Sequence, residues 1–124
     1  MDGIEYDTSQ TGLAAVLKDW QIETMQVLWQ NPEGLNSRTV WQRVNPMLKG
    51  KSISRASVIN FLEAMHSLGI LNAENRTGKG GHHSIYRAAL DETGYKQFIA
   101  STLIESLMQG FPDETKEALK NINP

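Results

Sequence analysis

The sequence predicts a mostly α-helical chain with one small β-hairpin: a winged helix-turn-helix domain followed by C-terminal helices that pair two copies. Three observations predict this class. Three amphipathic segments follow one another between residues 17 and 69. Two short strand-like runs then flank a glycine-rich loop. A long helix with a broad apolar stripe comes next.

The first segment, DWQIETMQVLWQ, places Ile22, Met25 and Trp29 at i, i+3 and i+7 with Leu28 beside them, and Asp19 is placed to cap it. NPEGLN breaks the pattern, because Pro32 and Gly34 are turn residues. A second helix starts near Asn36 or Ser37 and runs through RTVWQRV. Pro46 ends or kinks it, since proline lacks the N–H that a helix needs. After KGKS, Ser54 is a candidate cap for a third helix. On that helix Val58, Phe61, Leu62, Met65 and Gly69 share one face, and Gly69 suits the left-handed residue that ends it. ILNAENR and SIYRAAL read as strands, with TGKGGHH as a mobile basic tip between them. DETGYKQFIASTLIESLMQGF is the long helix, ended by Gly110 and Pro112, and DETKEALKNI is a short terminal one. The expected organisation is a flexible tail over residues 1–16, the winged domain over 17–90, and a helical dimerisation region over 91–124.

At 124 residues this is one domain, or a small domain with a helical appendage, and 40% apolar and 21% charged residues are those of an ordinary globular chain. There is no cysteine, which excludes disulfides and thiolate metal sites. MDGIEYDTSQTGLAAVL has no apolar stretch fit for a signal peptide, and no window approaches the roughly 18 apolar residues of a membrane span. A soluble, cytoplasmic protein without a membrane partner is expected.

The net charge of −2 conceals an asymmetry. Residues 36–89 carry Arg38, Arg43, Lys49, Lys51, Arg55, Arg76, Lys79 and Arg87 against Glu63 and Glu74, while both flanking segments are net acidic. Exposed charges separated by more than roughly 8–10 Å are screened from one another, so the basic middle sets its own local potential. That potential suits double-stranded DNA.

In a winged helix-turn-helix the third helix enters the major groove and the hairpin lies beside the backbone. The third helix here carries Ala56, Asn60, Glu63 and Ser67 opposite its apolar face. Small side chains let such a helix sit deep in a groove, and Asn60 can pair bidentately with adenine. The face of Ala56, Asn60 and Glu63 is therefore read as facing base edges. The expected DNA-contacting set is Ser37, Arg38, Ser54, Arg55, Ala56, Ser57, Asn60, Arg76, Lys79 and His82. Of these, Ser54, Arg55 and Ser57 suit phosphate at a positive helix N-terminus. Along the long helix, Phe98, Ile99, Leu103, Ile104, Leu107, Met108 and Phe111 form a stripe wider than one small head covers, and are read as the homodimer surface. The other reading of that stripe is a helix folded back on its own head beside Trp29. With pairing between copies, a chain truncated after Asp91 is expected to remain a folded monomer.

The residues also carry a family resemblance. LKDWQIETMQVLW resembles the opening helix of the BlaI/MecI/CopY penicillinase-repressor family, with Leu17, Glu23, Met25 and Trp29 in the family's spacing. ISRASVINFLEAMHSLGIL is similar to that family's recognition helix, including the terminal small residue Gly69. The resemblance spans roughly residues 17–110. It implies a dimeric transcriptional repressor on a palindromic operator, joined through C-terminal helices, with base-reading positions at Ala56, Ser57 and Asn60. Two departures stand out. The family's copper-responsive members sense metal through cysteines, which this chain lacks. Its antibiotic-responsive members are cleaved at an Asn-Phe bond in the C-terminal region, whereas the only Asn-Phe here is Asn60-Phe61, inside the recognition helix. Neither induction mechanism carries over, and an effector or sensor protein is not indicated.

Other chemistries fit the sequence less well. His82-His83 on a glycine loop lacks a third metal ligand, so no metal and no cofactor is expected. TGKGG does not match the phosphate-binding pattern G-x-x-x-x-G-K-[ST]. Trp20, Trp29 and Trp41 at helical spacings read as core and staple residues. Acidic residues show no convincing pairing and nucleophile candidates are limited to scattered serines, so an enzyme such as a small hydrolase is a poor fit. The alternative to a DNA-binding regulator is a winged-helix protein-interaction module whose basic stretch meets an acidic partner.

Overall fold

The computed structural model describes residues 3–78 and 81–122, apart from the side chains of residues 81 and 82. Helices α1 (Asp19–Trp29), α2 (Ser37–Val44) and α3 (Arg55–Ser67) come first, with a two-residue strand β1 (Leu35–Asn36) between α1 and α2. An antiparallel hairpin follows, β2 (Leu71–Gly78) and β3 (Gly81–Ala88), and then α4 (Glu92–Gly110) and α5 (Pro112–Asn121). This is a winged helix-turn-helix head with a helical C-terminal extension.

Local chemistry explains most element ends. Asn36 accepts a hydrogen bond from the Thr39 N–H, Ser54 from Ser57, and Asp91 from Gly94, each satisfying an N–H that the helix cannot. At α1 the cap lies one residue earlier than expected: Lys18 is the N-cap, its N–H donates to the Gln21 side chain, and Asp19 accepts from Trp20 inside the helix. Beyond Val44 the chain tightens into a 3-10 turn, Asn45–Met47, around Pro46. At the end of α3, Gly69 takes φ +79° while its N–H reaches His66 O and the Ile70 N–H reaches Met65 O. That double bond pattern closes a helix and drives the next residue inward. Ile70 is accordingly buried.

The largest fully buried side chains are Met25 and Leu28 of α1, Val40 and Val44 of α2, Val58 and Leu62 of α3, and Ile70 and Leu71, with Thr24 among them. Each tryptophan then ties a junction. Trp20 meets Phe61 of α3 edge-on at 5.5 Å between ring centroids. The Trp29 indole N–H donates to Leu90 O at 3.0 Å, before α4, and its ring lies 5.9 Å from Tyr95. The Trp41 N–H donates to Ile53 O at 2.7 Å, just before α3. Ahead of α1, residues 3–16 lie along the head: the Asp7 N–H donates to Ala15 O, Ala15 is buried in a 3-10 turn, and Ile4, Leu13 and Val16 pack against the core.

Three features depart from the sequence expectation: residues 3–16, expected as part of a flexible tail, pack along the head, and the sheet and the long helix also differ. The sheet has three strands in the order β1-β3-β2, because Leu35 and Asn36 pair with Tyr86 and Ile85. The strands also run farther than expected, to Gly78 and from Gly81, taking in most of the tip. The long helix is divided: its start lies on its own head beside Trp29, as the fold-back reading of the stripe has it, and its far end does not. Tyr95 and Ile99 are buried in the head's own core, with Phe98 and Leu103 partly buried against it, while Ile104, Leu107 and Phe111 are exposed. A chain cut after Asp91 would lose two core side chains, Tyr95 and Ile99.

Gly34 permits the third strand. Its φ is +93°, and a Cβ there would lie 2.7 Å from Ile85 Cγ2 and 3.0 Å from the Tyr86 carbonyl oxygen. One of these neighbours is backbone and cannot step aside. Gly34→Ala is expected to destabilise the fold by about 2–4 kcal/mol, combining strained backbone with overpacking. Urea unfolding checks this, and a loss of under about 0.5 kcal/mol would contradict it.

Candidate nucleic-acid interface

The candidate interface is built on α3. At about 100° per residue, Ala56, Asn60, Glu63 and Ser67 fall on one stripe. That stripe lies opposite the buried Val58, Phe61, Leu62 and Met65, and all four of its residues are exposed. The helix direction is fixed at its start, where Trp41 holds Ile53 O and Asn45 Oδ1 accepts the Ile53 N–H at 2.9 Å. These two bonds anchor the approach to α3 onto the end of α2.

At the N-terminus of α3, Ser54 Oγ accepts the Ser57 N–H and lies 2.8 Å from Ser57 Oγ. One hydroxyl proton serves that pair, which leaves the other available to an outside acceptor. Arg55 and Ala56 are exposed beside them, and Ser57 is half-buried. At the start of α2, Ser37 is half-buried and Arg38 is exposed. Neither Arg38 nor Arg55 enters an ion pair among the described residues. Both guanidinium groups therefore remain free for an external anion.

The wing is less uniformly basic than its sequence suggests. Arg76 lies 3.4 Å from Glu74, and Arg87 lies 3.9 Å from the same carboxylate. Exposed pairs of this kind contribute at most about 1 kcal/mol, so a phosphate can compete for Arg76. Arg87 also donates to Glu33 O at 3.1 Å, tying β3 to the turn before β1. Asn75 and Ser84 hydrogen-bond across the strands at 3.0 Å. The backbone of His82 pairs with Thr77. The His82 side chain and the whole of Lys79 lie outside the described residues. Lys51 faces Asp19 at 3.3 Å.

One contact was not legible in the sequence. The Tyr86 hydroxyl donates to Glu63 Oε2, joining the outward stripe of α3 to the central strand. The alternation of SIYRAAL does not say whether Ile85 or Tyr86 points inward, so nothing in the sequence paired Tyr86 with α3. Burial, and then the Glu63 carboxylate, push the Tyr86 phenol up to about 12. Burial alone pushes Tyr95 up to about 12.

A second candidate surface lies at the other end of the chain. Ile104, Leu107 and Phe111 of the α4 end meet Leu119 and Ile122 across an apolar groove of about 370 Å³. These five side chains are 42–67% exposed, whereas Met108 is half-buried. Leu119 and Ile122 were not in the sequence-derived set, because DETKEALKNI is too polar to advertise a partner face. The hydroxyl of Thr115, buried between the helices, donates to Phe111 O at 2.7 Å and reaches Leu107 O at 3.2 Å, fixing α5 against α4.

The raised phenols give a pH dependence. A phenol that holds its proton more tightly in the folded chain contributes stability that is complete below pH 10 and lost as the pH rises through 12. Absorbance titration at the phenolate band should show Tyr86 and Tyr95 ionising near 12, with folding stability falling between pH 10 and 12. Tyr86→Phe should remove one of these late transitions. Ionisation of both at pH 10 would contradict the geometry.

Comparison with known proteins spans both the head and the C-terminal helices. The penicillinase repressor family matches residues 17–121. Among solved structures, the chain is similar to a possible transcriptional regulator from Methanosarcina mazei Go1, with a TM-score of 0.56 and 14% identity over 87% of this chain and 81% of that one. It is also similar to a protein assigned as a transcriptional regulator from Thermoplasma acidophilum, with a TM-score of 0.52 and 14% identity over 84% and 91% of the two chains. At such identities these two structures speak for the fold alone. Comparison with curated proteins finds no match.

Proposed function

The chain belongs to the penicillinase repressor family and is a DNA-binding transcriptional regulator; we propose that it acts as a repressor, binding a palindromic operator as a homodimer. The observation that carries this reading is the outward stripe of α3, held opposite the core and preceded by Arg55. Ala56 and Asn60 lie where side chains of a groove-bound helix meet base edges, with Ser57 beside them. Arg55, Ser54 and the start of α2 at Ser37 and Arg38 then meet phosphates on either side, and Arg76 and the wing tip meet the backbone farther along.

The dimer is proposed through the α4–α5 groove. Ile104, Leu107, Phe111, Leu119 and Ile122 form a contiguous apolar surface on a head whose core is already complete without them. A second copy of the same surface covers it with two-fold symmetry. Among the described residues no helix is long and apolar enough to cross a membrane.

Duplex binding measured against salt tests both parts. For the full chain, log affinity should fall linearly with log salt at a slope of about −4 or steeper, from counterions released at several phosphates. Leu107→Glu should sediment as a monomer, with about half that slope and an affinity for the operator lower by about 10²–10⁴. A flat salt dependence would remove DNA as the partner. A full chain that is monomeric with and without duplex would remove the dimer.

A further inference from the structure

We propose that Glu63 determines specificity on the DNA-reading face, selecting a cytosine through the carboxylate oxygen that Tyr86 leaves free. The proposal rests on the reading of α3 as the helix in the groove. Glu63 lies at one edge of the outward stripe, one turn beyond Asn60, and is exposed. Among the described residues it enters no ion pair. Among the described residues its one side-chain partner is the Tyr86 hydroxyl, which engages Oε2.

An ionised carboxylate accepts hydrogen bonds and donates none. In the major groove guanine presents two acceptors, thymine an acceptor and a methyl group, and adenine an acceptor beside its amino group. Cytosine alone offers an amino donor without an acceptor of its own on that edge. A carboxylate on the stripe therefore favours cytosine and repels guanine, so one residue supplies both attraction and exclusion.

The Tyr86 contact makes this discrimination sharp. Tyr86 is buried on the central strand of the sheet and packs within the core. By holding Oε2 it restricts the Glu63 rotamers, so less side-chain entropy is lost when Oε1 meets a base. Tyr86 is thus a positioning residue, acting through Glu63. The competing role for this pair is purely structural, with Glu63 serving only as the acceptor that a buried phenol requires.

Glu63→Gln separates the two roles. The glutamine carbonyl still accepts from Tyr86, so a structural role predicts an unchanged binding motif. The amide also brings a donor, and glutamine pairs with adenine N6 and N7. Duplexes selected from a random pool by the full-length parent should show one cytosine per half-site preferred by about tenfold. In Glu63→Gln that position should switch to adenine or lose its preference, with the rest of the motif kept. Tyr86→Phe retains the carboxylate without its anchor, and should weaken the cytosine preference at the same position. Thermal melting of both variants reports whether they fold, and either folded variant suffices for the test. A cytosine preference unchanged in the folded variants, or a parent motif with no preferred cytosine, overturns the proposal while leaving α3 as the reading helix. A parent that selects no motif overturns that underlying reading as well.

Discussion

The rotation of α3 about its own axis is the constraint on which the rest of the molecule depends. Val58, Phe61, Leu62 and Met65 are all buried, and each such side chain contributes roughly 1.5–3 kcal/mol when taken from water. Turning the helix by one residue would expose part of this set and press Asn60 or Glu63 toward the core. Those groups would then lose water without gaining partners, which adds a further cost of about 1–3 kcal/mol for each. The outward stripe is therefore fixed by what the opposite side buries. Trp41 and Asn45 fix the remaining freedom by anchoring the residue from which α3 departs.

A second consequence concerns how the head is joined to the C-terminal helices. α4 is one continuous helix of 19 residues, and its first half belongs to the head through Tyr95 and Ile99. Its second half carries the exposed Ile104 and Leu107, with Phe111 just beyond its end. A helix transmits orientation along its axis, so a partner held at the far end sets where the reading helix points. The Trp29 bond to Leu90 O and the Asp91 cap hold the junction at which this orientation is passed on.

What was legible in the sequence was local. Asn36, Ser54 and Gly69 announced helix ends because capping and left-handed backbone need particular side chains within a few residues. The two faces of α3 followed from its apolar period, and the basic middle segment from counting. What was not legible depended on contacts between distant residues. β1 is two residues long and shows no alternation; it exists because Gly34 lets the chain approach β3. The apolar stripe of α4 has the same period whether it meets its own head or a second copy, so its division at Leu103 and Ile104 was invisible. The Glu63–Tyr86 bond links residues 23 apart in sequence, across a helix and a strand. Arg76 likewise read as a free donor until the strand geometry placed Glu74 beside it.

The central claim is that α3 presents its Ala56–Asn60–Glu63–Ser67 stripe to duplex DNA, with the starts of α2 and α3 and the wing beside the backbone. Backbone amide shifts of the isotopically labelled full chain, followed as a selected duplex is added, test it most directly. The account predicts that the largest changes fall on residues 54–67, at Ser37 and Arg38, and along the wing around Arg76. The buried face of α1 should stay unchanged. Largest changes at the α4–α5 groove, with α3 unperturbed, would contradict it.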